Sequence, residues 1–222
     1  MELAVSHDWD LSVDEARELQ ASLAERVVRE PTFELADVQT VAGVDVSFPG
    51  DVARAAVVVL DLSDLKPVAY ACAEVPVSYP YVPGLLTFRE GPSVLAALKE
   101  LETWPDLFIF DAHGVAHPRR LGLAAHMGVI LDWPSIGCAK SRLVGEHEEP
   151  GQDRGHWVPL LDEGETIGAV VRTRTKVKPV YVSIGQRVDL ATAIDFVLRC
   201  TTRYRLPETT RYADRVAAKG EL

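Results

Sequence analysis

The chain has 222 residues, 47% hydrophobic and 25% charged, with a net charge of −10, a balance typical of a globular protein that can bury a sizeable core as one domain. No apolar run approaches the ~18 residues of a membrane span, and MELAVSHDWD lacks the basic-then-apolar start of a signal peptide. Cys72, Cys138 and Cys200 are too few and too scattered for a disulfide framework or a cysteine zinc cluster, so a cytoplasmic protein with no membrane partner is expected. The acidity argues against nucleic acid, whose binding relies on Lys and Arg. Residues 167–222, however, hold eleven Lys and Arg against five Asp and Glu, and a local positive field can steer a ligand onto a negative protein.

Along the chain, SVDEARELQASLAERVV (12–28) predicts a helix. Ser12 and Glu15 have capping-box spacing, and Val13, Ala16, Leu19, Leu23 and Val27 form an apolar stripe. TVAGVDVSF (40–48) predicts a strand with Ala42, Val44, Val46 and Phe48 on one face and Asp45 on the other. AAVVVLDL (55–62) and VAYACAEVPV (68–77) follow across short turns, which makes an antiparallel meander. SYPYVPGLLTFREG (78–91) reads as a structured loop, and SVLAALKELE (93–102) as a helix with Pro92 in its first turn. LFIFD (107–111) is a buried strand, LGLAAHMGVILD (121–132) contains a helix, and PSIGCAK (134–140) is a short core strand. Residues 141–166 are acidic and glycine-rich with weak elements. TIGAVVRT and PVYVSIG read as a hairpin joined by a basic stretch, and helices begin at 189 and 207. The expectation is a single mixed α/β domain over 1–222. Its central mixed sheet opens with a three-strand meander, is flanked by helices and has a ribonuclease H-like core.

Several residues are candidates for chemistry. Asp45 is mid-strand, where a carboxylate is disfavoured unless paired or bound to metal; an ion pair or an exposed edge explains it as well as a metal does. Asp111 ends a buried strand, the place where ligand sites gather in open α/β sheets, although capping the next turn is an equal explanation. Two such carboxylates brought together suit Mg²⁺. Glu90, beside Gly91 and Pro92, is explained by the dipole of the helix it precedes. His113 and His117 have the i,i+4 spacing of a zinc helix, but Gly114 and Pro118 break a helix, and Gly114 stands where a zincin has Glu. They read instead as supports that orient other groups. In YPYVPG (79–84), prolines on both sides of Tyr81 stiffen a loop that can hold a ring outward, to pack under the loop or to wedge between bases.

Together VAGVDVSF (41–48), YPYVPGLLTFREGP (79–92), PDLFIFDAHGVAHPRRLGLAAHMGV (105–129), PSIGCAKSRLVG (134–145) and YRLPETTRYADR (204–215) resemble the endonuclease V family, in order and over most of the chain. The resemblance implies a Mg²⁺-dependent enzyme, with Mn²⁺ as a substitute, that cuts DNA on the 3′ side of deoxyinosine, one nucleotide beyond the lesion. It implies Asp45 and Asp111 as metal ligands, with Glu90 and Lys140 completing the catalytic set. Tyr81 becomes the wedge, carried with Pro80, Val82 and Pro83. Gly84, Leu85, Leu86, Ala112 and Gly122 become the base pocket, and His117 and Asp214 supporting residues near the metal. Two departures stand out: Ala112 replaces a common glycine, and Asp214 replaces a histidine found in some members. Deoxyinosine DNA is the expected partner of a monomer, with inosine RNA, a structure-selective nuclease and a non-catalytic lesion binder as alternatives. Arg119 and residues 172–178 are expected to hold the nucleic-acid backbone.

Overall fold

A computed structural model describes residues 2–222. Helix α1 (Val13–Ala24) starts at the expected capping box: Ser12 accepts from the Glu15 amide, and Glu15 reaches back to the Ser12 amide. It ends four residues early. The Val28 amide donates to Gln186 Oε1 (2.8 Å), and the Val28 carbonyl accepts from the Arg187 amide (2.7 Å), so tertiary bonds take the backbone that a longer helix would have used.

Strands β1 (Thr40–Ser47), β2 (Val52–Asp61) and β3 (Pro67–Pro76) form the antiparallel meander. Helix α2 (Leu86–Lys99) corrects the sequence reading: it starts within the expected loop and carries Pro92 in its interior. A proline clashes with the Cβ of the residue before it, and here that residue is Gly91. Glu90 therefore lies in the second turn, 9% exposed, rather than at a solvent-facing helix entrance.

β4 (Leu107–Phe110), α3 (Leu123–Leu131) and β5 (Ser135–Ala139) complete a parallel centre, β1–β4–β5. Beyond β5, the stretch expected to hold only weak elements contains β6 (Trp157–Asp162). It pairs with β7 (Glu165–Val171) across Glu163-Gly164, both at positive φ (51° and 83°), as a two-residue primed turn requires. β7 and β8 (Val180–Gln186) form the expected hairpin, and α4 (Leu190–Arg199) and α5 (Glu208–Lys219) follow. The eight strands are ordered β3-β2-β1-β4-β5-β8-β7-β6.

Apolar alternation seats the helices on both faces. Ala42, Val44, Val57, Phe108 and Phe110 pack with Val94 and Leu98 of α2 and Met127 of α3. Ala56, Val58 and Leu60 pack with Ala213, Val216 and Ala217 of α5. The α5 contact is close: a Cβ built on Gly43 would lie 2.0 Å from the Thr209 carbonyl oxygen. Gly43→Ala is therefore expected to cost about 1–3 kcal/mol of unfolding free energy. A urea titration checks this, and an unchanged midpoint would contradict the seating of α5 on β1.

Candidate active site

The position of the acidic residues follows from strand register. β1 and β4 run parallel with Val44 opposite Phe110, and the Asp111 amide donates to the Val44 carbonyl (3.0 Å). One step further along each strand, Asp45 and Asp111 come side by side at the carboxyl end of the parallel sheet, where α/β folds place their ligands. Lys140, just past β5, supplies the counter-charge, with its Nζ in contact with Asp111 Oδ2. That oxygen is buried against the ammonium. Glu90 enters from α2 and Asp214 from α5. Arg211 is paired with Glu208 at 2.6 Å, and Arg215 lies over the Tyr212 ring, so neither neighbour neutralises Asp214.

These acids raise one another's pKa. Asp45 is pushed up to about 7 by burial, then by the Asp111 charge, against the pull of Lys140. Glu90 is pushed up to about 8 by burial, then by Asp45 and Asp111. Asp111 also rises, since burial outweighs its pairing with Lys140. Burial disfavours the Lys140 charge, but Asp111 more than offsets it and the net shift is upward. The cluster holds more negative charge than one lysine balances.

Beside it lies a cavity of about 270 Å³, below the ~300–1,000 Å³ of drug-sized sites. Its walls are the loop Tyr81–Gly84, the start of α2 (Leu86, Thr87), the β4–α3 connection (Ala112, His113, His117, Gly122, Leu123) and the segment after β5 (Ser141, Arg142, Leu143). Tyr81 is 72% exposed at the rim. Gly84, Leu86, Ala112 and Gly122 thus line one space, with Val82 and Pro83 beside them. Leu85 does not: it is buried with Ala16, Tyr79 and Phe88. Pro80 is exposed outside the lining. His117, expected beside the acids, is in the cavity wall instead, its Nε2 3.0 Å from the Gly84 carbonyl oxygen. Its Nδ1 accepts from the Arg119 amide (3.2 Å), so the bonds assign the Nε2–H tautomer. Burial, then the Arg119 charge, holds its pKa down at about 4. Burial holds His113 at about 4 as well.

Sequence reasoning missed Leu123, Thr87, Ser141, Arg142 and Leu143. The last three directly follow Lys140, which was the available signal. The basic groups also divide. Arg174, Lys176 and Lys178 are exposed, whereas Arg172 is 3% exposed and donates to the carbonyls of Gly151, Pro150 and Val177. Arg119 turns inward too.

The model of the family described as Endonuclease V matches residues 21–215. The chain belongs to the endonuclease V family. A relative from Roseiflexus sp. (strain RS-1), named Endonuclease V, is 53% identical over 100% of this chain and 99% of its own length. One from Trichormus variabilis is 52% identical over 98% and 99%. The crystal structure of endonuclease V from Streptomyces avermitilis superposes with a TM-score of 0.90, at 45% identity over 99% of this chain and 97% of that one. The endonuclease V of Ciona intestinalis, solved with a 23mer DNA containing an inosine followed by a ribo-adenosine, superposes with a TM-score of 0.82 at 30% identity, covering 94% and 96%. The fold is ribonuclease H-like, as its endonuclease V neighbours are, and the family makes the protein a nuclease.

The raised carboxylates predict a pH dependence in chelator-treated protein. A carboxyl whose folded pKa lies above its unfolded one stabilises the fold below the unfolded value, near 4, and loses that contribution as pH climbs through the folded value. With Asp45 at about 7 and Glu90 at about 8, stability is expected to fall between about pH 7 and 8, whereas at lower pH His113 and His117, held at about 4, contribute the opposite slope. Glu90→Gln should flatten the fall. Melting curves across this range check it, and a slope of opposite sign in wild-type protein would refute the electrostatic picture.

Proposed function

We propose that this nuclease hydrolyses DNA on the 3′ side of deoxyinosine, one nucleotide beyond the lesion, using Mg²⁺ or in its place Mn²⁺, as a monomer in the cytoplasm. The observation that carries the reading is a nucleobase-scale cavity, rimmed by the exposed Tyr81, directly beside an under-neutralised carboxylate cluster. The inosine-containing DNA bound by the Ciona intestinalis relative supports the substrate class.

The donor set suits a hard divalent cation. Asp45, Glu90 and Asp111 offer only carboxylate oxygens, and their charges exceed what Lys140 balances. Among the described residues, no three His, Cys, Asp or Glu side chains form a ready-made metal group. An open arrangement of this kind matches Mg²⁺, which takes one or two carboxylates and completes its shell with water and substrate phosphate. When bound, Mg²⁺ polarises the phosphate and lowers the pKa of a coordinated water. Asp45 and Asp111 hold it, and Glu90 and Asp214 add to the negative field.

The chain's own residues do the rest. Tyr81 enters the stack and takes up the space of the displaced base. The cavity receives the base, with its walls built by Gly84, Leu86, Ala112, His117 and Gly122. Backbone N–H groups at these walls donate to the O6 carbonyl of hypoxanthine, whereas the exocyclic amine of adenine would set donor against donor. Lys140 stabilises the charge that develops on the scissile phosphate. Inosine in RNA is the second reading, favoured by the ribo-adenosine that follows the inosine in the Ciona complex.

Asp45→Ala and Asp111→Ala should each reduce cleavage of an inosine oligonucleotide in Mg²⁺ by at least about 10²–10³-fold. DNA and RNA substrates run in parallel decide the sugar, and full cleavage by either variant would sink the assignment. Tyr81→Ala should impair incision of paired inosine by about tenfold more than of single-stranded inosine, because only the duplex needs a wedge. Equal losses on both substrates would remove the wedge role.

A further inference from the structure

The Gly84 carbonyl is where the wedge loop turns into α2, and two donors converge on it: His117 Nε2 at 3.0 Å and Arg119 Nη2 at 2.8 Å. Gly84 has φ +79°, and a Cβ there would lie 2.9 Å from Arg119 Nη2, so a larger residue would disturb the contact. Arg119 does not itself line the cavity. Its Nε donates to Gln20 Oε1 at 2.7 Å, and its two acceptors here are neutral oxygens. Gln20, on α1, is fully buried, and both ends of its amide are used. While Oε1 takes Arg119, Nε2 donates to the Leu121 carbonyl at 3.1 Å. Leu121 precedes Gly122 and Leu123, which also line the cavity. Arg119 and Leu121 both belong to the β4–α3 connection, so one buried amide on α1 braces that wall at two points, and Arg119 carries the brace across to the wedge loop at Gly84.

We propose that Gln20 and Arg119 are positioning residues that set the distance between the two walls of the base cavity and hold the wedge loop in place, so that a helix outside the site controls base admission. This rests on the cavity being the base pocket. The chemistry favours this pair. A glutamine amide donates and accepts at once, so it can bridge an arginine and a carbonyl; glutamate would lose the bond to Leu121. Arginine presents its donors in a rigid fork that lysine cannot reproduce, although lysine keeps the charge. Leaving any of these buried partners unsatisfied loosens both walls at once.

The test uses Gln20→Leu and Arg119→Lys in the full chain, with two readouts. Amide hydrogen exchange over residues 81–86 should quicken about tenfold in each variant while β1 and β4 keep wild-type protection. With inosine oligonucleotides, KM should rise about 10- to 100-fold with kcat within about threefold, and selectivity over adenine oligonucleotides should fall. Arg119 is only partly buried, so Arg119→Lys still decides the matter if Gln20→Leu does not fold. Wild-type exchange and kinetics in Arg119→Lys would overturn the proposal. So would a fall in kcat with unchanged KM, accompanied by faster exchange throughout the sheet, which is the mark of a merely structural role. If wild-type protein ignores inosine, the base-pocket reading falls, and exchange at 81–86 still judges the tie between the walls on its own.

Discussion

Two carboxylates forced together at the end of two parallel strands organise this molecule. The register that pairs Val44 with Phe110 leaves Asp45 and Asp111 side by side, and burial removes the water that would separate their charges. Such a pair is costly to ionise without a cation. Lys140 provides one charge from the neighbouring strand, while Glu90 from α2 and Asp214 from α5 bring further negative charge. The cluster therefore carries more negative charge than Lys140 balances. The seating of α5 on Gly43 belongs to the same constraint, because it brings Asp214 to the other acids.

The cavity obeys a different electrostatic rule. Desolvation holds the pKa of both its histidines at about 4, so both imidazoles are neutral, and His117 acts as a shaped hydrogen-bonding group. A neutral His117 that donates from Nε2 and accepts at Nδ1 fixes the loop at Gly84 without adding charge to the cavity. Charge is concentrated at the carboxylate cluster, and uncharged imidazoles line the cavity beside it. Arg119 keeps this division because its guanidinium is spent on Gly84 and Gln20.

The meander, the capping box at Ser12, the β7–β8 hairpin and the helices from 189 and 207 were legible because each rests on local pattern: β-branched runs, period and caps. Where long-range contacts outweighed local preference, the reading slipped. Helix α1 stops early because Gln186 and Arg187 engage Val28. Helix α2 runs through Pro92, where a proline usually marks a helix start; Gly91 before it presents no Cβ to the ring. β6 was obscured by an acidic stretch whose only clear signal was the Glu163-Gly164 turn.

The acidic residues and the YPYVPG loop could be singled out from the chain alone, since an aspartate inside an apolar strand and a doubly prolined tyrosine are locally anomalous. What each faces could not. That Leu85 faces the core while Leu86 faces the cavity, that His117 supports Gly84 and not a carboxylate, and that Arg119 and Gln20 point at each other across about a hundred residues were decided by packing. The physical reason is that burial and hydrogen bonding between distant segments act only once the chain has closed on itself, and they leave no periodic trace in the sequence.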